Sequence, residues 1–371
     1  MSIPFLSLQN QTALLKSEVL AAFGQVIDTQ GFANGPAVAA FEKKLASYLG
    51  VRDVICVNSG TTALHAALLS AGVGPGDDVL TVSHTWISTV WAVSYCGAKP
   101  VFCDIDPNTC GMDPREVERR LTPRTKAILP VHLYGQPVDL DPILEIGRRK
   151  GIPIIEDAAQ SIGAQYKDRQ TGSFGLVNAT SFYPGKNLGA WGEGGAVMTN
   201  DVEIAARIRR LRDHAQAARH HHVEIGFNWR MDGLQGAVLS IKLDRLEGWN
   251  GRRQQIAARY QGALDGLPGL RMLPVHPWCT PIWHVFPVFH ERRDQLRAVL
   301  ERHGVSTAVH YPTPVHLQPA YSHLNLGSGS LPRAEQAAAQ ELSLPMFAEL
   351  SDRDLDEVIA AVSASCRELA S

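Results

Sequence analysis

The sequence predicts an α/β protein with a mainly parallel sheet in a larger region, 1–249, and a smaller α+β region, 250–371. Two observations carry that expectation. Through the first two thirds, short Val- and Ile-rich runs alternate with longer amphipathic segments, the pattern of strands joined by crossover helices. After about residue 250 the texture changes, and helical periods flank an alternating apolar run at 283–289.

Taken in order, Val38, Phe41, Leu45 and Tyr48 recur at helical spacing and predict a helix over 37–49. A strand at 54–57 leads into a helix at 62–70, and Gly74, Pro75, Gly76, Asp77 and Asp78 punctuate the turn before a strand at 79–82. Strands follow at 100–103, 127–131, 153–155, 179–182 and 196–199, with helices at 114–121 and 142–150. Each strand is short and bounded by polar, Gly or Pro residues. The stretch 232–247 reads as one long helix, with Leu234, Ala237, Val238 and Ile241 on one side and Leu239, Leu243 and Leu246 on the other. Apolar on two faces, it is expected to be covered on both and to link the two regions. Helices at 252–264, 295–303 and 353–362 complete the second region.

Composition narrows the function. The 371 residues are 45% hydrophobic, ample for a buried core. The 35 basic and 37 acidic residues leave a net charge of -2, so no field for a polyphosphate exists and nucleic acid is not an expected partner. The start, MSIPFLSLQNQ, lacks a basic stretch before an apolar one, and no apolar run approaches a membrane span, so no membrane association and a cytoplasmic location are expected. The 6 cysteines form no CxxC pair and read as buried thiols. His220, His221 and His222 are consecutive, but neighbouring side chains cannot all face one ion and no HExxH accompanies them, so no metal is expected.

Three segments carry chemistry. Asn58, Ser59, Gly60, Thr61 and Thr62 follow a strand and open a helix, where free N–H groups beside a glycine make an anion site; a plain N-cap has the same pattern. The spacing is not that of a Walker A loop. The run 153–160 delivers Glu156 and Asp157 at the C-terminal end of a buried strand, the edge where open α/β sheets bind ligands, although an acid there also caps helices. Finally, Lys186 sits in the small-residue loop Tyr183, Pro184, Gly185, Lys186, Asn187, Leu188, Gly189, followed by Gly192, Glu193, Gly194 and Gly195. A lysine there can be a solvated charge. In order, though, the segments supply what a pyridoxal phosphate enzyme needs: a phosphate anchor, a partner for the ring nitrogen and an amine.

With these and the stretches VHLYGQPVDLDPI, IIEDAAQSIGA, SFYPGKNLGAWGEGGAV, IGFNWRMDGLQGAVL and HYPTPVHLQPAY, the chain resembles the DegT/DnrJ/StrS family of sugar aminotransferases along nearly its whole length. The resemblance implies a fold type I aminotransferase with pyridoxal 5'-phosphate as cofactor. It implies that Lys186 bonds the cofactor and, once freed, moves the proton between the substrate carbon and the cofactor, while Asp157 keeps the ring nitrogen protonated. Gln160 would lie near the ring hydroxyl, and Gly60, Thr61 and Ser181 would hold the phosphate. Trp86 would stack on the ring, or else be an ordinary core residue. Asn228 would reach the phosphate of a neighbouring subunit, giving a homodimer with shared sites.

A lysine at 186, where the dehydratase branch has histidine, implies transamination. The expected substrates are an amino acid, glutamate first, and a nucleotide-linked keto sugar. Tyr183, His221 and His222 resemble the subgroup acting on dTDP-linked 3-keto-6-deoxy sugars, with C4 amination as the alternative. Tyr311 and His316 are further candidates for sugar or diphosphate contact, with ordinary packing as the other reading. Another fold type I enzyme, or a regulator that binds sugar nucleotide without turnover, are the competing classes.

Overall fold

The computed structural model describes residues 2–370. A single large sheet dominates the first region, running in the order Lys99–Cys103, Asp78–Val82, Thr125–Ile128, 154–157, Val177–Ser181, Gly195–Thr199, Asp53–Val57. Parallel pairing runs from the first of these to Val177–Ser181, partly through isolated bridges at Ile128–Ile154, Val131–Asp157 and Asp157–Ala179. Gly195–Thr199 lies antiparallel between its two neighbours. Helices cover both faces, so these strands are buried along most of their length rather than alternating in exposure, as sequence had suggested.

Gly60–Ser70 forms because Ser59 caps it, its hydroxyl accepting the Thr62 N–H at 3.1 Å, and because Ala and Leu fill the following positions. Ala63, Leu64, Ala67 and Leu68 are buried in the core above Ile55, Val79 and Val197.

The stretch expected as one helix over 232–247 is two. Gly233–Leu243 ends at Asp244, where the Arg245 N–H turns to the Lys242 carbonyl, and Leu246–Leu264 begins. The apolar spacing of Leu239, Leu243 and Leu246 continues across the break, all three in one core cluster, so periodicity could not reveal it. The expected cover on both sides is present: Leu239 and Leu243 share a cluster with Val38, Phe41 and Leu45, while Val238 packs with Leu15 and Val19. Those last two belong to a helix absent from the sequence reading, Gln9–Thr29. It also carries Leu14, Leu20 and Ile27 on the surface, so no single apolar stripe marks it.

In the second region Leu270–Met272, Phe286–His290 and Glu341–Leu344 pair antiparallel, with Phe286–His290 central. Arg293–Arg302 and Asp352–Ala370 pack on them in a core that also takes in Ile3. Ile3 bridges Val305, and the Phe5 carbonyl accepts the Met346 N–H at 3.4 Å. The start of the chain is thereby laid across the second region, and Phe5 and Leu6 reach the same cavity as Lys186.

Candidate active site

A cavity of about 600 Å³ is lined by residues from the C-terminal ends of the central strands and from the second region. That volume suits a cofactor with part of a substrate. Lys186, Asp157, Gly60, Thr61, Trp86, Gln160, Ser181, Tyr183 and Tyr311 all line it.

Asp157 ends the strand 154–157, its backbone N–H on the Pro130 carbonyl at 2.9 Å. Its carboxylate is buried and accepts the Thr89 hydroxyl at 2.8 Å and the Ala159 N–H at 3.1 Å. Thr89 uses its proton for this bond, so Thr85, 2.9 Å away, donates to Thr89 in turn. Burial raises the Asp157 pKa, against the pull of these bonds and of the Lys186 charge. No side-chain cation hydrogen-bonds to this carboxylate among the described residues.

Glu156 precedes it in an extended strand and points to the other face. There it accepts His132 Nε2 at 2.9 Å and the N–H groups of Gly172, Phe174 and Gly175 at 2.8, 2.7 and 2.9 Å. His132 Nδ1 accepts the Val138 N–H, so its Nε2 carries the proton. Burial opposes the Glu156 charge, but His132 and the backbone donors hold its pKa below the usual value. Of two adjacent carboxylates, one is consumed by structure and one faces the cavity.

Lys186 stands in a loop closed by the Ala190 N–H on the Phe182 carbonyl and the Lys186 N–H on the Tyr183 carbonyl, each at 2.8 Å. Asn187 fastens it further, its amide donating to Asn250 at 2.8 Å and to the Ile282 carbonyl at 3.2 Å. Buried Lys242 donates to the Gly189 carbonyl. The Lys186 amine, half-buried and open to the cavity, is taken out of bulk water, which pushes its pKa down to about 8 despite Asp157. Near neutral pH a usable fraction is therefore the free amine.

The end of Gly60–Ser70 and Ser181 meet closely: a Cβ on Gly60 would lie 2.5 Å from the Ser181 Cβ, and one on Gly195 would lie 2.3 Å from the Ser59 carbonyl oxygen. The N–H groups of Gly60 and Thr61 have no partner among the described residues. These donors and the Ser181 hydroxyl form a cradle for a small anion. The Thr61 hydroxyl donates to Ser88 at 2.9 Å. Trp86 is 54% exposed, its ring centroid 5.3 Å from that of Tyr311, so it is not an ordinary core residue. Gln160 accepts the Tyr134 N–H at 2.7 Å and donates to the Tyr311 hydroxyl at 3.1 Å. A phosphate cradle, a buried carboxylate lacking a cation, an amine with lowered pKa and an open indole face together fit pyridoxal phosphate.

Other expected site residues lie elsewhere. His221 and His222 are exposed on the hairpin that pairs with Gln216–Ala218, and Asn228 is exposed; none lines this cavity. His316 is buried, its Nδ1 2.7 Å from the Ser83 hydroxyl and its Nε2 3.1 Å from Glu335. It locks a loop rather than facing the cavity. Sequence reasoning passed over Thr89, His284 and His310, which line the cavity. His310 opens the HYPTPVH stretch, which was a signal, whereas nothing near His284 marks it.

Comparison with known proteins gives the family. Residues 14–363 match the DegT/DnrJ/EryC1/StrS aminotransferase family. The chain is 46% identical over 360 residues to dTDP-3-amino-3,4,6-trideoxy-alpha-D-glucose transaminase of Streptomyces venezuelae, covering 97% of this chain and 95% of that one. A crystal structure of S. venezuelae DesV superposes with a TM-score of 0.96 at 46% identity, covering 98% of each chain. NtdA of Bacillus subtilis, solved with bound cofactor PMP, superposes with a TM-score of 0.93 at 32% identity, covering 99% of this chain and 85% of that one.

Proposed function

The chain belongs to the DegT/DnrJ/EryC1/StrS aminotransferase family, and from that premise we propose that it transfers an amino group from an amino acid, glutamate first, to C3 of a dTDP-linked 3-keto-6-deoxyhexose. The observation that carries the reaction is the single cavity shared by the Lys186 amine, the Asp157 carboxylate and the cradle at Gly60, Thr61 and Ser181. The sugar rests on the Streptomyces venezuelae transaminase.

When bound, pyridoxal phosphate supplies an aldehyde that carries the amino group and a ring that takes up electrons released at the substrate carbon. The protein does the rest. Asp157, held by Thr89 and Ala159, keeps a proton on the ring nitrogen, whose positive charge also supplies the cation this buried carboxylate lacks. Lys186 removes a proton from the substrate carbon in one half-reaction and returns one in the other, a task suited to an amine with a pKa of about 8. Gly60, Thr61 and Ser181 would hold the phosphate, Trp86 would cover the ring, and Gln160, fixed by Tyr134 and Tyr311, would serve the ring hydroxyl. Tyr183 and Tyr311, on the wall of the same cavity, would contact the sugar.

The same reading includes a homodimer in which Asn228, His221 and His222 serve the neighbour's site. What supports it is their exposure outside their own cavity, together with surface Val223 and Ile225 near them in sequence and surface Phe32, whose carbonyl accepts the Gly233 N–H. The division at 249/250, which falls within the helix Leu246–Leu264, belongs to the proposal too, supported by the core that Ile256, Tyr260, Phe286, Leu342 and Val358 form with Ile3. A cytoplasmic location is supported by 6 free, buried cysteines. No described helix is long and apolar enough to cross a membrane.

Absorbance of the purified holoenzyme tests the reaction. Glutamate should convert the aldehyde band to that of the amine form, and a dTDP-linked 3-keto-6-deoxy sugar should restore it. No conversion by any amino acid would overturn transamination, and restoration by 4-keto sugars alone would move the amination to C4.

A further inference from the structure

A buried chain of hydrogen bonds leads away from the cavity through His310. Its Nδ1 lies 2.8 Å from the Ser343 hydroxyl, which donates to Oε1 of Glu341, while Oε2 of Glu341 accepts the His310 backbone N–H. Glu341 and Ser343 stand two apart in the fully buried strand Glu341–Leu344, so both side chains leave the same face. His310 lines the cavity, and its Nε2 has no protein partner among the described residues. The reaction as proposed above gives Glu341 and Ser343 no task.

We propose that Glu341 and Ser343 are positioning residues that set which nitrogen of His310 carries its proton, and so whether His310 offers the cavity an acceptor or a donor. The bond from the His310 backbone N–H occupies Oε2, which leaves Oε1 as the end that switches. With Glu341 ionised, Ser343 donates to Glu341, His310 Nδ1–H donates to Ser343, and Nε2 presents a lone pair. With Glu341 protonated at Oε1, the bonds reverse: Glu341 donates to Ser343, Ser343 donates to Nδ1, and Nε2 carries the hydrogen. Passage from the first state to the second moves one proton out of the cavity. A substrate ammonium or hydroxyl loses its proton to Nε2 as Nδ1–H passes to Ser343 and the serine proton passes to Oε1. Three bonds to hydrogen form and three break, the imidazole stays neutral, and the negative charge leaves Glu341 for the substrate group.

The surroundings allow this. Burial pushes Glu341 up to about 7, against the bonds from Ser343 and His310 and the charge of Arg293. Burial, with the Lys186 charge, pushes His310 down to about 4, so the ring is neutral where Glu341 titrates. The other titratable groups facing Glu341 are Tyr134, Tyr311 and Cys110, and those facing His310 are His84 and His284. Burial keeps each of these neutral near pH 7, so only Arg293 and Lys186 act as charges on the chain.

The test is nitrogen NMR of histidine-labelled holoenzyme, with His310 assigned by its loss in His310→Gln. The wild type should pass from the Nε2–H to the Nδ1–H tautomer as pH rises through about 7. Glu341→Gln keeps a carbonyl for the backbone N–H and places its amide on Ser343, so it should hold Nε2–H throughout. In single-turnover reaction with glutamate, that variant should lose the pH limb near 7 and react at least about tenfold more slowly at high pH, with apparent glutamate affinity changed less than about threefold. Ser343→Ala should abolish the tautomer transition and Ser343→Thr should restore it, a pair that decides the matter even where Glu341→Gln does not fold. Absence of a tautomer change in the wild type, or its persistence in Glu341→Gln or Ser343→Ala, overturns the proposal. The NMR result needs no sugar substrate, so it is read separately from the proposed transamination.

Discussion

Replacing Gly60 by alanine places a methyl carbon 2.5 Å from Cβ, 2.8 Å from Oγ and 3.1 Å from Cα of Ser181. Carbon atoms rest about 3.5–4.0 Å apart, so the end of Gly60–Ser70 must withdraw from Ser181 by about 1 Å. Ser181 cannot give way easily, because it is paired with Gly195 at the end of the sheet. Alanine favours helix over glycine by up to about 1 kcal/mol, so the helix itself does not suffer. The cost falls on the cradle. Overpacking of this kind costs about 1–3 kcal/mol, which at 1.4 kcal/mol per tenfold weakens cofactor binding by about 5- to 150-fold. Titration of cofactor-stripped protein with pyridoxal phosphate, followed by tryptophan fluorescence, measures it. Adding Ser181→Gly removes the carbon that is struck and should recover part of the affinity, though not the hydroxyl's share. Binding by Gly60→Ala within about twofold of wild type would refute the placement of the phosphate between these residues.

Lys186→Ala should abolish turnover with little change in Tm, and mixing it with Asn228→Ala should recover activity in heterodimers, since one site then carries both lesions and the other neither. Activity that never exceeds the sum of the separate variants, despite proven subunit exchange and a clear Asn228→Ala defect, would return Asn228 to its own subunit. Glu156→Gln should lower stability by about 2–5 kcal/mol, because an amide nitrogen would face N–H donors that now meet a carboxylate oxygen. Its wild-type pKa lies below the unfolded value, so this stability is present above about pH 4.3 and lost as pH falls through the folded pKa. Urea unfolding against pH checks both, and a variant matching wild type at pH 7 would show that the four bonds to Glu156 contribute nothing net.

Much of this protein was determined by local sequence. A strand buried on both faces must be a short apolar run, and a helix beginning at Ser59 must leave N–H groups free beside Gly60, so the sheet, the cradle, Asp157 and Lys186 were legible from residue type and order. Their joint placement follows from parallel topology, which gathers strand ends at one edge. Tertiary structure alone decided what depends on contacts between distant segments. Glu156 and Asp157 are neighbours of one chemical type, and only the loop 172–175 and His132 on one face, with the cavity on the other, separate their roles. His316 and His310 lie in one motif, yet packing buries the first against Ser83 and Glu335 and leaves the second on the cavity. The Glu341–Ser343–His310 chain joins residues 31 and 33 positions apart, beyond the reach of any local pattern. Periodicity reports only which side of an element is apolar; which buried polar group meets which partner is set by how the elements pack.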